Sequence, residues 1–334
     1  MNIPTSDAPA ASGIAVVLVN WNGRHLLDTC LASVFRQVPT PQQVIVVDNG
    51  SSDGSLAHLR RRWPQVVVLD GKVNLGFARG CNVGIRHALA AGADAVLLLN
   101  TDAELLPGSL AELVAGLAQE PTAWAAAPKI LYRSRPDTIW SAGGSFDWWR
   151  GLSLDRGTDE RDQRQYDRPD LVDFANACCL LVRGGSYREL GPFDEGYFMY
   201  FEDSELAARA VGRGAQVAYR PAARVLHDVQ GSSGGARGVR PSPAALYYWT
   251  RNRVWFIRRN SPGVARRLVA HGYILGSRAV RIAQAVRRGA WDDVRLIIRA
   301  LLDAYVRRVT GPSYPATSAP EDASSRVTAG RESS

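Results

Sequence analysis

Four short, unbroken apolar runs mark the first third of the chain: IAVVLVN (14–20), QVIVVDN (43–49), QVVVLDG (65–71) and DAVLLLN (94–100). They do not alternate polar with apolar positions, which is the pattern of strands covered on both faces in a parallel sheet. Between and after them, apolar positions recur at helical spacing in RHLLDTCLASVFRQ (24–37), SLAHLRRRW (55–63), FARGCNVGIRHALAAG (77–92) and PGSLAELVAGLAQ (107–119). Strand alternating with helix predicts βαβ units and a doubly wound α/β sheet.

From about residue 121 the pattern loosens into Trp-, Gly- and Arg-rich loops, interrupted by one further apolar strand, DFANACCLLVRG (173–184). EDSELAARAVGRG (202–214) reads as a helix ended by its glycines, followed by two short strands, AQVAYRP (215–221) and ARVLHD (223–228). Beyond GSSGGARG (231–238) the composition changes, and 245–260 and 266–309 read as helices in which arginines interleave with aliphatic and aromatic residues. The organisation expected is a disordered tail over 1–12, an α/β domain over 13–240 made of halves 13–120 and 121–240, a basic amphipathic helical extension over 241–310, and a Ser-, Ala- and Pro-rich disordered tail over 311–334.

At 334 residues, 46% hydrophobic and 22% charged, the chain can bury a full core as one large or two modest domains. It has no run of eighteen uncharged apolar residues and no signal-peptide pattern at its start, so a cytoplasmic location is expected. Cys30, Cys81, Cys178 and Cys179 lack metal-ligand spacing and read as reduced structural thiols. A net charge of +8 asks for an acidic partner: nucleic acid, a membrane surface or a phosphorylated small molecule.

The chemistry gathers at the strand ends, where ligands bind in open α/β sheets. The runs finish on Asn20, Asp48, Asp70, and Asn100 with Asp102. Any one of these residues can serve merely as a helix cap, but four together favour a site. NWNGRH after the first run is not GxGxxG, and no GxxxxGK[ST] occurs, which removes the main support for a dinucleotide dehydrogenase or a P-loop NTPase. Asn100 and Asp102 are two apart at a strand end and can present oxygens to a divalent cation, since a hard-cation site that holds a diphosphate needs only one or two carboxylates. A second acidic pair, Glu202 and Asp203, opens a helix directly behind the aromatic GYFMYF. Acidic residues in a first helical turn are commonly caps, yet a carboxylate beside apolar rings is also where a general base is tuned. His227 closes ARVLHD at another strand end.

Taken together, VVLVNWNG, VIVVDNGSSDGS, NLGFARGCNVGI, LLLNTDAELLPGSL, ACCLLVRGGSYRELGPFDEGYFMYFEDSEL and ARVLHDVQGSS closely resemble the inverting GT-A fold glycosyltransferases of family 2, in particular their rhamnosyltransferase-like branch. The resemblance covers roughly residues 13–260 and implies a GT-A fold, a Rossmann-like, mostly parallel sheet flanked by helices, here with a C-terminal helical extension. It implies that Asp48 binds the pyrimidine base of the donor, that Asn20 and Trp21 frame base and ribose, and that Asn74, Gly76, Arg79 and Asn82 run along the nucleotide. Asp102 matches the last carboxylate of the DxD motif, a ligand to Mg²⁺ or Mn²⁺, and His227 matches a histidine that completes metal coordination. Asn100 stands where the general pattern has the first Asp, a departure usual in this branch, and falls on the donor side. Asp203 matches the catalytic base of the ED motif, with Glu202 beside it in the same catalytic pair.

The implied reaction is single displacement with inversion, moving rhamnose or another hexose from a dTDP- or UDP-sugar to a hydroxyl of a cell-surface glycan or lipid-linked acceptor. Two alternatives stand beside it, a nucleotidyltransferase and a non-catalytic nucleotide-sugar-binding subunit. For the arginine-rich segment 246–309 the readings are a helical subdomain packed on the core or a surface resting on anionic lipid at the inner face of the plasma membrane. No nucleic-acid module is recognisable, so nucleic acid is not expected as a partner.

Overall fold

A computed structural model of the chain describes residues 13–229 and 241–306. The tails expected at 1–12 and 311–334, and the GSSGGARG segment, lie outside the described residues. The four apolar runs form strands β1 (Ile14–Asn20), β2 (Gln43–Asp48), β3 (Val67–Asp70) and β4 (Ala95–Leu99), and the helical segments form α1 (Arg24–Phe35), α2 (Ser55–Arg62), α3 (Phe77–Ala90) and α4 (Ser109–Gln119). All are parallel, in the order β3-β2-β1-β4. The chain direction along the sheet therefore reverses between β1 and β4, which puts the carboxyl ends of these two strands at the crevice where open α/β sheets bind ligands.

Beyond β4 the sheet continues through strands at Cys179–Arg183 and Val217–His227, where strands are expected, and through others that the sequence pattern presents as loops. The chain adds β5 (Ala103–Leu105), β6 (Ala125–Tyr132), β7 (Arg135–Ser141), the ribbon β8 (Gly144–Asp147) and β9 (Leu152–Asp155), β10 (Asp170–Val172), β11 (Cys179–Arg183), α5 (Gly184–Leu190), α6 (Glu202–Val211) and β12 (Val217–His227). β6, AAAPKILY, is buried along its whole length, but three alanines and a proline carry little strand signal. β11 runs antiparallel between β4 and β6, and β12 returns parallel to β6. The two short strands expected at 215–221 and 223–228 are one strand with an irregularity: Arg220 pairs with Pro128 and Arg224 with Lys129, so residues 221–223 bulge out around Pro221.

Apolar side chains fill both faces of the sheet. Val17, Val47, Ile85 and Leu98 pack on one side, Leu18, Leu31, Val46 and Leu97 on the other. α3 lies close to the sheet because Gly80 and Gly84 face it: a Cβ at Gly84 would come within 2.3 Å of Val17 Cγ1.

The C-terminal part forms α7 (Pro243–Asn260), α8 (Val264–Arg287) and α9 (Trp291–Tyr305), the last two separated at Gly289, where φ is +67°. The single helical stretch expected over 266–309 is thus broken. α7 is no surface helix. Its Val254, Trp255, Phe256 and Ile257 share a core with Tyr197, Phe201, Ala270, Ile274 and Ala304. Several arginines turn inward with it: Arg251 is fully buried, Arg253 donates to the carbonyls of Arg150 and Gly151, and Arg258 donates to that of Ala304. Burial pushes the Arg253 and Arg278 guanidinium groups down to about 10. Among the described residues no helix is long and apolar enough to cross a membrane.

The contact of α3 with the sheet is testable. Gly84→Val forces branched methyls into the space held by Val17 and Val47, and should destabilise the protein by about 1–3 kcal/mol in a denaturant titration. A variant as stable as the wild type would mean that α3 is free to move away.

Candidate active site

Asn20, fully buried at the end of β1, donates its amide to Asp48 Oδ2 (2.9 Å) and Ser51 Oγ (3.1 Å). Asp48, also fully buried, accepts from the Ser51 N–H at 2.8 Å. The Asn20 Oδ1 atom is buried without a partner, and Gly23 approaches so closely that a Cβ there would stand 2.7 Å from it. Trp21 is exposed at the rim. Asn49 extends the wall, bonding Asn74 Oδ1 (3.1 Å) and the Gly76 carbonyl (3.0 Å), so Asn74 and Gly76 stand beside the ends of β1 and β2. Gly76 answers a second demand as well. With φ at +89° and Phe198 O only 2.4 Å from where its Cβ would stand, the position has no room for a side chain.

Two residues of that segment behave differently. Arg79 is exposed and lies 3.7 Å from Glu195. Asn82 has no hydrogen-bonding capacity left for a nucleotide. Its amide donates to Phe193 O and Glu195 Oε1, and its oxygen accepts from Tyr187 Oη and the Phe193 N–H. The expectation that Asn82 lies along the donor is corrected on this ground: it tethers the 187–195 segment to α3. Asp70, the third polar strand end, pairs with Lys72 at 2.5 Å, and this bond holds its carboxyl below the ordinary range.

The second group forms where β5 pairs antiparallel with the end of β12, placing His227 opposite Ala103. The Asp228 N–H donates to the Asp102 carbonyl. Asp102 Oδ1 and His227 Nε2 stand 3.2 Å apart, and both atoms are buried without a hydrogen-bond partner. The edge of Trp140 closes over the imidazole with ring centroids 4.5 Å apart. An oxygen and a nitrogen left bare inside a protein are costly unless something else meets them. That donor set suits a divalent cation, and the described residues contain no cluster of three or more His, Cys, Asp or Glu that would enclose one by themselves. Asn100 is fixed through its backbone N–H to the Cys178 carbonyl at 2.8 Å.

The third group is the start of α6. Asp203 Oδ1 accepts from the Ser204 N–H (2.6 Å) and Oγ (3.2 Å), and Oδ2 accepts from the Ala177 N–H at 3.3 Å. Burial nevertheless holds its carboxyl above the ordinary value. Glu202 is buried, its Oε2 unpartnered, and its carboxyl is pushed well up by burial and by the neighbouring Asp203 charge. Of the pair, Asp203 keeps the solvent-reaching edge. The approach to α6 is strained: Phe198, Tyr200 and Phe201 have φ of 64°, 65° and 71°, a region that bulky side chains rarely enter and that costs about 1–3 kcal/mol per residue.

One carboxylate of the site escaped the sequence pattern. Asp155 ends β9, accepts from Ser141 Oγ at 2.6 Å, and is pushed up to about 7 by burial, with the Asp203 charge adding to it. Ser153, two residues back on the same strand face, meets Ser204 Oγ at 2.8 Å and ties the ribbon to α6. LSLD ends on a carboxylate as the parallel strands do, but three half-buried residues and an exposed Leu154 inside a polar region give no strand signal. A cavity of about 480 Å³ on this flank is lined by Asp155, Arg156, Asp170, Asp173 and Gln216, toward the start of β12 and away from His227.

Residues 15–187 match the family described as Glycosyl transferase family 2. The chain is 30% identical over 238 residues to an N-acetylglucosaminyl-diphospho-decaprenol L-rhamnosyltransferase of Mycobacterium tuberculosis, covering 66% of this chain and 78% of that one. Its fold is similar to a mannosyltransferase from Pyrobaculum calidifontis solved with GDP-Man and Mn²⁺ (TM-score 0.54, 17% identity, 92% and 91% of the two chains). It is also similar to GalNAc-T7 solved with UDP, GalNAc and Mn²⁺ (TM-score 0.55, 19% identity), covering 72% of this chain and 47% of that one. The architecture is the GT-A fold, as the sequence resemblance implies.

Asp155 gives a pH test. Its folded carboxyl binds a proton up to about 7, whereas the unfolded one releases it near the ordinary 3.8, so this group's contribution to stability is lost as pH rises between those values. Asp155→Asn, always neutral, should therefore be stabilised relative to wild type by more at pH 8 than at pH 5. Denaturant midpoints at both pH values check this, and an equal difference at the two would show that Asp155 ionises normally.

Proposed function

The chain belongs to glycosyl transferase family 2, and from that premise we propose that it moves a sugar from a pyrimidine nucleoside diphosphate to a lipid-linked glycan acceptor by single displacement with inversion. The enzyme is a glycosyltransferase. L-Rhamnose carried on dTDP is the favoured donor, because the relative covered over 78% of its length is named for rhamnosyl transfer to a diphospho-decaprenol glycan. A UDP-hexose is the other donor to test.

The observation that carries the reading is the separation of roles around one crevice. Asp48 and Asn20 present a buried polar wall for the base and ribose, with Trp21 at its rim and Asn74, Gly76 and Arg79 along its side. Asn100 and Asp102 follow at the end of β4. Asp102 and His227 would hold Mg²⁺ or Mn²⁺, the two bare atoms 3.2 Å apart being its protein ligands. When bound, the cation supplies positive charge at the leaving diphosphate. Asp203 accepts the proton of the acceptor hydroxyl as it attacks the anomeric carbon, and its raised affinity for a proton suits that task. Glu202, buried behind it, keeps the pair from sharing a second full charge.

α8 and α9 supply a surface for the lipid end of the acceptor. Leu268, Leu275 and Val280 on α8, and Trp291, Ile298 and Leu302 on α9, are exposed, among Arg266, Arg267, Arg281, Arg287 and Arg295. Apolar side chains flanked by arginines fit an anionic bilayer surface.

Two experiments test these assignments. Asp203→Asn should lower turnover of dTDP-rhamnose or a UDP-hexose by roughly a hundredfold while dTDP binding barely changes, whereas Asp102→Ala should abolish the Mn²⁺-dependent part of dTDP binding in a thermal-shift assay. Loss of turnover in Glu202→Gln but not in Asp203→Asn would reverse the assignment of the base. In flotation assays the protein should rise with vesicles containing anionic lipid at low salt and release as salt increases, and equal binding to neutral vesicles would exclude the electrostatic contact.

A further inference from the structure

Every backbone carbonyl from residue 196 to 201, the strained approach to the base, has an identifiable partner. Phe198 O accepts from the Ala78 N–H (3.3 Å) and Phe201 O from the Glu205 N–H (2.9 Å), the first bond of α6. Two side chains of α7 meet all the others. Asn252 Nδ2 donates to Tyr197 O (2.9 Å), Met199 O (2.8 Å) and Tyr200 O (2.8 Å). Arg251 Nη2 donates to Gly196 O (2.7 Å) and Tyr197 O (3.1 Å), and its Nε holds Asn252 Oδ1 at 2.8 Å. Both side chains are fully buried.

We infer that Asn252 and Arg251 are positioning residues of the transfer reaction: they gather the carbonyls of the 196–200 turn and so fix the direction in which α6 presents Asp203. This rests on Asp203 being the base.

The physical argument begins with strain. Three aromatic residues in the left-handed region do not keep that trace unaided, because an extended backbone is open to each of them. Relaxing Tyr200 would swing its carbonyl away from Asn252, and relaxing Phe198 or Phe201 would break the bonds their carbonyls accept from Ala78 and Glu205. The two-hydrogen amide of Asn252, shared among three carbonyls, makes relaxation at 199 and 200 unfavourable together. Asn252 is in turn oriented by Arg251, whose guanidinium is held over Trp255, Tyr248 and Tyr247 at 4.3, 4.8 and 5.6 Å from the ring centroids. Phe198, stacked on Tyr248 at 5.0 Å, closes the unit from the other side. The turn's far face rests on Gly76, where only glycine leaves room for Phe198 O. The base is therefore aimed by a helix more than forty residues later in the chain.

Asn252→Ala, Asn252→Asp and Asn252→Gln distinguish positioning from simple support. With dTDP-rhamnose or a UDP-hexose, whichever the wild type consumes, Ala and Asp should lower turnover roughly tenfold to a hundredfold, with dTDP binding in Mn²⁺ within twofold of wild type, and Gln, which keeps the donors, should recover part of the loss. Placed in an Asp203→Asn background, Asn252→Ala should cost less than about twofold more, since the group it aims is already absent. Hydrogen exchange of the 196–205 amides should accelerate at least about tenfold in Asn252→Ala while β1, β2 and α3 keep their protection. Turnover within twofold of wild type, equal slowing in both backgrounds, or unchanged exchange at 196–205 overturns the proposal. The exchange measurement reads the clamp without any donor, so its result stands apart from the outcome of the activity assay.

Discussion

The pairing of three residues of β5 with the last three of β12 is the contact on which the site depends. The parallel half of the sheet by itself offers polar strand ends, with no histidine facing Asp102. β12 starts at the far end of the sheet, bulges once at Pro221 to stay in step with Pro128, and finishes beside the turn that follows β4. Only because it reaches that far do an aspartate and a histidine 125 positions apart face each other. The antiparallel insertion of β11 between β4 and β6 serves the same end. It carries the Ala177 and Cys178 backbone to the crevice, where one bonds Asp203 and the other Asn100.

The electrostatics of the crevice follow from how little water its acids keep. Asp155, Glu202 and Asp203 are all held above the ordinary carboxyl range, with burial the leading cause in each. Their mutual repulsion adds to it, so the site favours carrying fewer negative charges than it has carboxyls. Asp203 is the member with three hydrogen bonds favouring the ionised form, and unlike Glu202 it is only partly buried.

The parallel strands and their polar ends were legible because a strand covered on both faces has to be apolar throughout and its chemistry has to sit where it stops. Asn20, Asp48, Asp102 and His227 all follow that rule. The middle of the chain does not. β6 hides behind alanines and Pro128, β7 starts on three exposed residues, and β8 to β10 are too short for an alternation to register. Asn82 misled for a different reason, since a polar residue beside a nucleotide-binding turn and one that pins a neighbouring loop have the same signature. The arginines of α7 read only as part of a basic amphipathic extension. Their partners are backbone carbonyls and aromatic faces, which leave no mark in a sequence.

The burial of α7 changes what counts as a unit of this protein. A boundary drawn near residue 240 follows composition, but the core containing Tyr197 and Phe201 also contains Val254, Phe256, Ile274 and Ala304. The C-terminal helices are therefore not an accessory that a lineage can add, lose or exchange while the catalytic half stays as it was. A graft of α7 to α9 from one enzyme to another would transplant the side chains that hold the 196–200 carbonyls along with the exposed face of α8 and α9. The two properties must be inherited as one.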